Sequence, residues 1–348
     1  MSPASHRFAT IKDVAEMAQT STATVSYILN GISSKRYISD ELRQRVVHAA
    51  KTLGYVKFGA ASSLKGKNTD VIAVLSPQYE NHFFAGIFSA VERAAYEQGY
   101  VLAVLNTFDD TEREKKAINQ MIQLRVDGFL IIPTIEGGNN TASVREHNVP
   151  CVSVERPLVG VEDGAYDFVA SDNFGAVYSL TKHSLELGHK RIALACWDSE
   201  ITRLIYNLED RRKGYIRAMQ EQGLYDSGLI HAGEITWEEG ARLTSQILED
   251  KTVTSIVYGH YTLAEGGIQY MKKKKIKVPR DVSVSLLGSP KWAEITDVDY
   301  TRVIQPSESL GSESVEILLS RINGNASDNI TKIFSTKLHV GESVASLR

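Results

Sequence analysis

From residue 70 onward the chain alternates short, unbroken apolar runs with amphipathic segments of helical period, and it does so through two successive rounds. The runs are Val71–Ser76, Val101–Asn106, Gly128–Pro133 and Pro150–Glu155, then Arg191–Cys196, Ser255–Gly259 and Val282–Gly288. A continuous apolar stretch of this length is a strand covered on both faces, which means a parallel sheet flanked by helices. Two rounds predict two lobes, each a doubly wound parallel α/β sheet, rather than one very wide sheet. A break near Phe168–Asp172 ends the first round, and Arg302–Pro306 reads as a return crossing. The expected N-lobe is therefore 70–168 plus 302–330, and the C-lobe 169–301 plus 331–348. Ligands of such sheets sit beyond the carboxyl ends of the strands, here in a cleft between the lobes.

The first 69 residues follow a different pattern. Thr10 caps a helix whose third residue, Asp13, reaches back to it, and Ile11, Val14, Ala15 and Ala18 form one apolar stripe. Ser21 caps a second helix with Val25, Ile28 and Leu29 inward, and Asn30-Gly31 closes it. Ser39 opens a third, with Leu42, Val46, Ala50 and Leu53 inward and Gly54 as its stop. None of these helices is long enough to stand alone, so the three must pack together. Charge separates the same region from the rest. Of 39 basic and 42 acidic residues, ten and four fall in residues 1–67, giving +6, while the remainder carries −9. A basic head on an acidic body suits a polyanionic partner for the head alone.

Two short helices joined by a tight turn make the helix-turn-helix pattern, whose second helix enters the major groove of DNA. Thr22, Ala23, Ser26 and Tyr27 lie off the apolar face of that helix, within reach of base edges. Ser21, Thr24 and Asn30, with the helix starts around Thr10, Ile11 and Ser39, suit phosphate oxygens. Taken alone, the same residues also describe an ordinary helical hairpin. The segments Thr10–Ala15, Ser21–Ser26 and Ile28–Gly31, with Leu42–Val46, Ala49-Ala50 and Leu53–Tyr55, closely resemble the DNA-binding head of the lactose/galactose repressor (LacI/GalR) family. That resemblance puts Thr22, Ala23 and Tyr27 at base-reading positions and Ser21, Thr24 and Asn30 on phosphates. Many members have Arg where this chain has Tyr27, which lacks the bidentate fork for guanine. A longer loop at 32–38 adds Lys35 and Arg36, read either as solvated charges or as further phosphate contacts.

Residues 57–69 are small, polar and basic, as a flexible linker would be. The resemblance implies instead a short hinge helix that folds on operator DNA, with Ala61 and Leu64 at the minor groove. Lys57, Phe58 and Ser62 depart from the family pattern there.

The resemblance extends through the body, by Asn81-x-Phe83-Phe84, Val126–Gly128, Glu155-Arg156, Ser171–Ala176, Leu187–Ile192, Arg211–Tyr215, Val278–Ser283 and Gln305-Pro306. It implies a two-lobed sensor like the periplasmic sugar-binding proteins, holding a small-molecule effector. Phe83, Phe84, Arg156, Arg211, Trp237 and Tyr261 are its candidate contacts, with aromatic faces for a sugar or purine and cations for its hydroxyls or phosphate. Where the family usually has Asn-Asp this chain has His260-Tyr261, and Gly288-Ser289-Pro290 replaces Gly-Phe-Asp. Ile235 stands where relatives have a strand-end aromatic, with Trp237 two residues on. The effector is thus expected to be a carbohydrate or sugar derivative unlike the simple neutral sugars, or one held in an atypical pose. Asp172 and Asn173 read equally as helix caps and as ligand contacts.

No phosphate-binding loop, metal-spaced His/Cys cluster or Gly-x-Ser-x-Gly elbow occurs, so neither catalysis, cofactor nor metal is expected. The N-terminus lacks the apolar core of a secretory signal, and no apolar run reaches eighteen residues. Cys151 and Cys196 read as reduced packing residues. The expectation is a cytoplasmic, nucleoid-associated regulator, most simply a repressor, that binds a palindromic double-stranded operator as a homodimer and has no membrane partner. A regulator whose co-effector is a protein, or a non-catalytic small-molecule binder, is the alternative.

Overall fold

The computed structural model describes residues 9–29, 38–55, 68–134, 140–158, 160–162, 164–197, 206–325 and 327–348. Two compact units result, Met1–Thr69 and Asp70–Arg348.

The first unit holds α1 (Ile11–Met17), α2 (Thr22–Leu29) and α3 (Asp40–Thr52). Thr10 Oγ1 accepts from Asp13 N–H at 3.4 Å, and the Asp13 carboxylate accepts from Thr10 N–H at 2.6 Å, a reciprocal capping box. Ser21 Oγ accepts from Thr24 N–H at 3.1 Å, and Ser39 Oγ from Leu42 N–H at 3.3 Å. Gln19, left-handed at φ +51°, makes the tight turn between α1 and α2. Val14, Val25 and Val46, one from each helix, are fully buried and meet in a single small core. Such short helices owe their persistence to that shared core.

In the second unit the N-lobe sheet comprises β1 (Val71–Ser76), β2 (Val101–Asn106), β3 (Gly128–Ile131), β4 (Cys151–Val154), β5 (Asp167–Ser171) and β11 (Thr331–Phe334). Its order is β11-β5-β4-β3-β1-β2, parallel throughout. The C-lobe sheet comprises β6 (Ile192–Trp197), β7 (Ile230–Gly233), β8 (Ser255–Tyr258), β9 (Ser283–Leu287), β10 (Thr301–Ile304) and β12 (Lys337–His339). Its order is β12-β10-β9-β8-β6-β7, with only β12 antiparallel. Helices α4 (His82–Glu97) and α11 (Ser307–Ile322) cover one face of the N-lobe sheet, α5 (Thr111–Gln123) and α6 (Ala142–Glu146) the other. In the C-lobe α9 (Trp237–Ile247) and α10 (Tyr261–Lys273) cover one face, α7 (Asn173–Glu186) and α8 (Tyr206–Glu221) the other. With both faces covered, central strands such as β3 and β8 are buried along their whole length.

The lobe boundaries differ from the sequence expectation at three places. The supposed break at Phe168–Asp172 is β5, which runs to Ser171 within the N-lobe sheet. Residues 302–304, assigned to the N-lobe, belong to β10, which pairs with β9 of the C-lobe. Residues 331–334, assigned to the C-lobe, form β11 and pair with β5 of the N-lobe. The chain therefore passes between lobes after β5, after β10 and after β11. The reason is topological: the N-lobe sheet takes its last strand after α11, and Thr331–Phe334 is a largely exposed edge whose pattern names no partner. β2, expected to be buried on both faces, is the opposite edge, with Val101 66% and Val104 43% exposed.

In both sheets the strand order reverses beside the first strand, between β1 and β3 and between β6 and β8. Each lobe thus has its crevice at the carboxyl ends of those strands.

Candidate functional site: a helical reading face and an inter-lobe cleft

On the head, α2 buries Val25 and Ile28 and turns Thr22, Ala23 and Tyr27 outward, with Tyr27 44% exposed and Ser26 partly so. Positions 22, 23, 26 and 27 share one face by i, i+3 and i+4 spacing, so the outward set forms a continuous strip. Ser21 is exposed, and its hydroxyl lies 2.9 Å from that of Thr24. Thr10 and Ser39 are exposed caps, whereas Ile11 packs partly on the head core. Asn30, Lys35, Arg36, Ala61 and Leu64 lie outside the described residues.

In the sensor unit a cavity of about 460 Å³ opens between the lobes. The loop after β1 and the start of α4 bring Gln78, Asn81, Phe83 and Phe84 to it, and the end of β4 brings Glu155 and Arg156. The C-lobe contributes Trp197 after β6, Leu208 and Arg211 from α8, Ile235 after β7, and His260 and Tyr261 at the head of α10. The volume lies in the range of small-molecule sites. Asn81 caps α4, its side-chain oxygen accepting from Phe83 N–H at 3.0 Å, which fixes the aromatic pair at the cleft edge. Phe83 and Phe84 have ring centroids 5.7 Å apart; Phe84 also belongs to the N-lobe core, so only part of it faces the ligand space.

Five of the six expected effector contacts line this cavity: Phe83, Phe84, Arg156, Arg211 and Tyr261. Trp237 does not. It begins α9 on the outside of the C-lobe, 37% exposed, with Lys273 Nζ 5.8 Å from its ring centroid. Thr236 caps that helix, and the turn carries the next side chain away from the strand end, leaving Ile235 at the cavity.

A buried polar chain ties the cleft to the passages between lobes. Glu155 sits in the left-handed region at φ +61°. Its carboxylate accepts from Ser171 N–H and Oγ–H, both at 2.9 Å, and from the Asn173 amide at 3.0 Å. The Asn173 oxygen in turn accepts from Arg211 Nε at 2.7 Å, and Arg211 Nη1 donates to Gly259 C=O at 3.1 Å. Burial raises the Glu155 pKa against these donors. Burial also lowers the Arg211 pKa to about 10, with Glu155 opposing and nearby Arg156 adding to the shift. Arg156 donates through Nη1 to Asp109 at 3.0 Å and to Pro133 C=O at 2.9 Å, with its guanidinium carbon 5.9 Å from the Phe84 ring centroid. His260 caps α10, Nδ1 accepting from Thr262 N–H at 3.1 Å. Burial, then Arg211 and Arg156, pushes its pKa down to about 3, so the ring is neutral at physiological pH. Burial raises the Tyr261 pKa.

Glu155, His260 and Asp109 are not among the residues the sequence assigns to the site, and Asn173 stands there only as either a helix cap or a ligand contact. Glu155 and Asn173 stand inside quoted motifs, and His260 inside a noted departure, so their positions were visible although their contacts were not. Asp109 had no signal: it is a left-handed loop residue at φ +57°.

Among the described residues, no group of three or more His, Cys, Asp or Glu side chains is placed to hold a metal ion, and no helix is long and apolar enough to cross a membrane.

The profile described as "Bacterial regulatory proteins, lacI family" matches residues 10–57. The profile described as "Periplasmic binding proteins and sugar binding domain of LacI family" matches residues 69–339. The HTH-type transcriptional repressor PurR of Histophilus somni (strain 2336) is 30% identical over 345 residues, covering 97% of this chain and all of its own. The HTH-type transcriptional regulator DegA of Bacillus subtilis (strain 168) is 30% identical over 310 residues, covering 87% of this chain and 88% of its own. Among solved structures, a complex of the transcriptional regulator CelR with cellobiose superposes with TM-score 0.71 at 26% identity, over 96% of this chain and 99% of its own. The lac repressor dimer bound to operator and an anti-inducer superposes with TM-score 0.80 at 22% identity, over 97% and 100%, a likeness of fold. The chain therefore belongs to the LacI family, as a non-catalytic DNA-binding transcription regulator with a helix-turn-helix head and a two-lobed effector-binding domain.

Proposed function

We propose that this regulator acts in the cytoplasm as a repressor, binds a palindromic operator as a homodimer, and has its grip on DNA set by a sugar or sugar derivative held between the sensor lobes. The observation that carries the sensing half is the cleft itself: aromatic, cationic and amide side chains converge on it from both lobes, so one ligand touches both. On the head, Thr22, Ala23, Ser26 and Tyr27 are the base readers, while Ser21, Thr24 and Asn30, with Thr10, Ile11 and Ser39, hold the phosphates. Lys35 and Arg36 add phosphate contacts, and Ala61 and Leu64 form the hinge at the minor groove. In the cleft Phe83 and Tyr261 supply the stacking faces, Phe84 their backing, and Arg156 and Arg211 the hydrogen-bonding cations. The dimer reading is supported by the apolar side chains exposed on β2 and the end of α4, Val101, Val104 and Tyr96, the last 76% exposed.

The test has two steps. The protein is purified from cells, and the copurifying small molecule is identified by mass spectrometry. A fluorescent operator found by binding-site selection is then titrated with and without that molecule. The molecule should change operator affinity for the wild type and leave Arg211→Ala unresponsive. A normal response in Arg211→Ala would rule out the cleft as the sensor.

A further inference from the structure

We propose that the effector carries an acidic group, a carboxylate or a phosphate, which Arg156 and Arg211 grip from opposite lobes; this rests on the cleft being the effector site. The cleft walls have more hydrogen-bond donors left over than charged acceptors. Arg156 engages Asp109 and Pro133 C=O through Nη1 alone, and among the described residues its Nε and Nη2 have no protein acceptor. Arg211 uses Nε and Nη1 on Asn173 and Gly259, which leaves Nη2. Both guanidinium groups line the same cavity, with the Arg156 side chain only 13% exposed and Arg211 7% exposed. His260 adds a third donor. Its Nδ1 is occupied as an acceptor for Thr262 N–H, so the ring proton resides on Nε2.

The deepest acidic acceptors of the same walls are committed, while the side-chain oxygens of Gln78 and Gln305, which also line the cavity, are neutral amide acceptors without a carboxylate's charge. The Glu155 carboxylate takes three bonds from Ser171 and Asn173, the Asn173 oxygen serves Arg211, and Asp109 serves Arg156. Glu234 also faces the cavity, as an exposed residue at its rim. A wall that recognises a neutral diol needs a free acceptor for its two hydroxyl protons, the role of a strand-end carboxylate. Here that position is Tyr261, beside neutral His260. Donors that open into a half-buried cavity gain from an acceptor on the ligand, and two cations lining one cavity gain most from an anion. Burial is the main influence against the charged form of Arg211; Glu155 opposes it and Arg156 adds to it. An acidic group placed between the two forks supplies acceptors to the open nitrogens of both, and planar bidentate contact suits carboxylate and phosphate alike.

The experiment uses the full chain at constant ionic strength and measures binding by calorimetry. Three probes share one ring: glucose, glucuronate and glucose 6-phosphate. Acetate and inorganic phosphate are tested as the bare groups. At least one charged ring should bind tenfold or more tightly than glucose, and which one does separates a sugar acid from a sugar phosphate. The corresponding bare anion should bind weakly in competition with it. Arg156→Met should lose tenfold or more for the charged probe, and Arg156→Lys should recover part of that loss, which a merely structural role would not give. Equal binding of glucose and its charged counterparts overturns the proposal, as does anion binding that Arg156→Met leaves untouched, or no binding of any anion. If the copurified effector proves neutral yet still needs Arg211 to act on operator affinity, the cleft remains the sensor and only the acidic-group inference falls.

Discussion

Tyr27 concentrates the question of operator choice in one side chain. It is the largest exposed group on the outward strip of α2, and a phenol offers one donor–acceptor hydroxyl and an apolar ring where Arg would offer a fork. Tyr27→Ala should change the preferred base at one position of each half-site and cost roughly 1–3 kcal/mol on the best operator. Neutralising Lys35 and Arg36 should instead weaken all DNA sequences alike and flatten the salt dependence. Selected binding motifs that are identical for wild type and Tyr27→Ala would exclude a base-reading role. A second residue-scale prediction concerns acid. His260 has a folded pKa pushed down to about 3, below the 6.5 of the free side chain. The unfolded chain therefore takes up that proton first, and stability falls as pH drops through 6.5 toward 3. Glu155, with its pKa raised by burial, works in the opposite sense: its protonated form is favoured in the fold, so its contribution grows as pH falls. His260→Asn should remove the first slope, sparing about 2–3 kcal/mol of loss by pH 4 after allowance for the ring's partial exposure. Urea midpoints that fall in parallel for wild type and His260→Asn between pH 7 and 4 would contradict this.

Helix pairs in the sensor approach each other through glycine. A Cβ on Gly266 of α10 would stand 1.9 Å from Trp237 C=O and 2.9 Å from Ala241 N of α9. Those atoms are helix backbone and cannot swing aside, so the two helices would have to part. Alanine's better helix propensity, worth about 1 kcal/mol, cannot offset that overlap. Gly266→Ala should destabilise by about 3 kcal/mol or more, seen as a lower urea midpoint. The same physics recurs at Gly214 of α8, where a Cβ would lie 2.3 Å from Phe174 C=O of α7. Arg321 is the comparable device for α11. It grips Asp167 of β5 through two 2.8 Å bonds and donates to the carbonyls of Asn325, Ser327 and Asp328. Asp167 also accepts from Ile330 N–H at 2.8 Å, so the pair fastens helix, strand and the lead into β11 together. Arg321→Met leaves a buried carboxylate half-paired and should cost about 3–5 kcal/mol, measurable by the same denaturation. The amphipathic helices and apolar strands were legible in the sequence because burial on two faces leaves a continuous signal. Two of the edges were not: Ile230–Gly233 and Thr331–Phe334 carry mixed residues, and an edge strand of that kind imposes no pattern that says which sheet it joins. The cleft was legible at Phe83, Arg156 and Arg211, whose neighbours form motifs. It was misjudged at Trp237, because two residues along a strand-to-helix turn reverse the direction of a side chain.

At the scale of the whole molecule, the proposed switch is a coupling between a cleft and a DNA-reading head joined by residues 57–69, which lead directly into β1. The chain passes three times between the lobes, and the Glu155–Asn173–Arg211 chain of hydrogen bonds runs from the end of β4 through the first of these passages into α8. A ligand gripping both lobes can favour one lobe arrangement only by binding it better than the other. If that arrangement also decides whether the hinge around Ala61 and Leu64 folds on DNA, the two affinities are thermodynamically linked and the coupling is reciprocal. The copurified effector should then change operator affinity by some factor in the range of about 5–150, and operator should change effector affinity by the same factor and in the same sense. Leu64→Ala should shrink both factors toward one while leaving effector affinity without DNA unchanged, because the hinge contact is lost and the cleft is not. Arg211→Ala should lower effector affinity itself and leave effector-free operator binding nearly intact. Calorimetry of effector with and without operator, set beside anisotropy of operator with and without effector, measures all four arms. Unequal factors in the wild type would show that a third equilibrium, such as dimer dissociation, carries the signal, and an unchanged factor in Leu64→Ala would remove the hinge from the path.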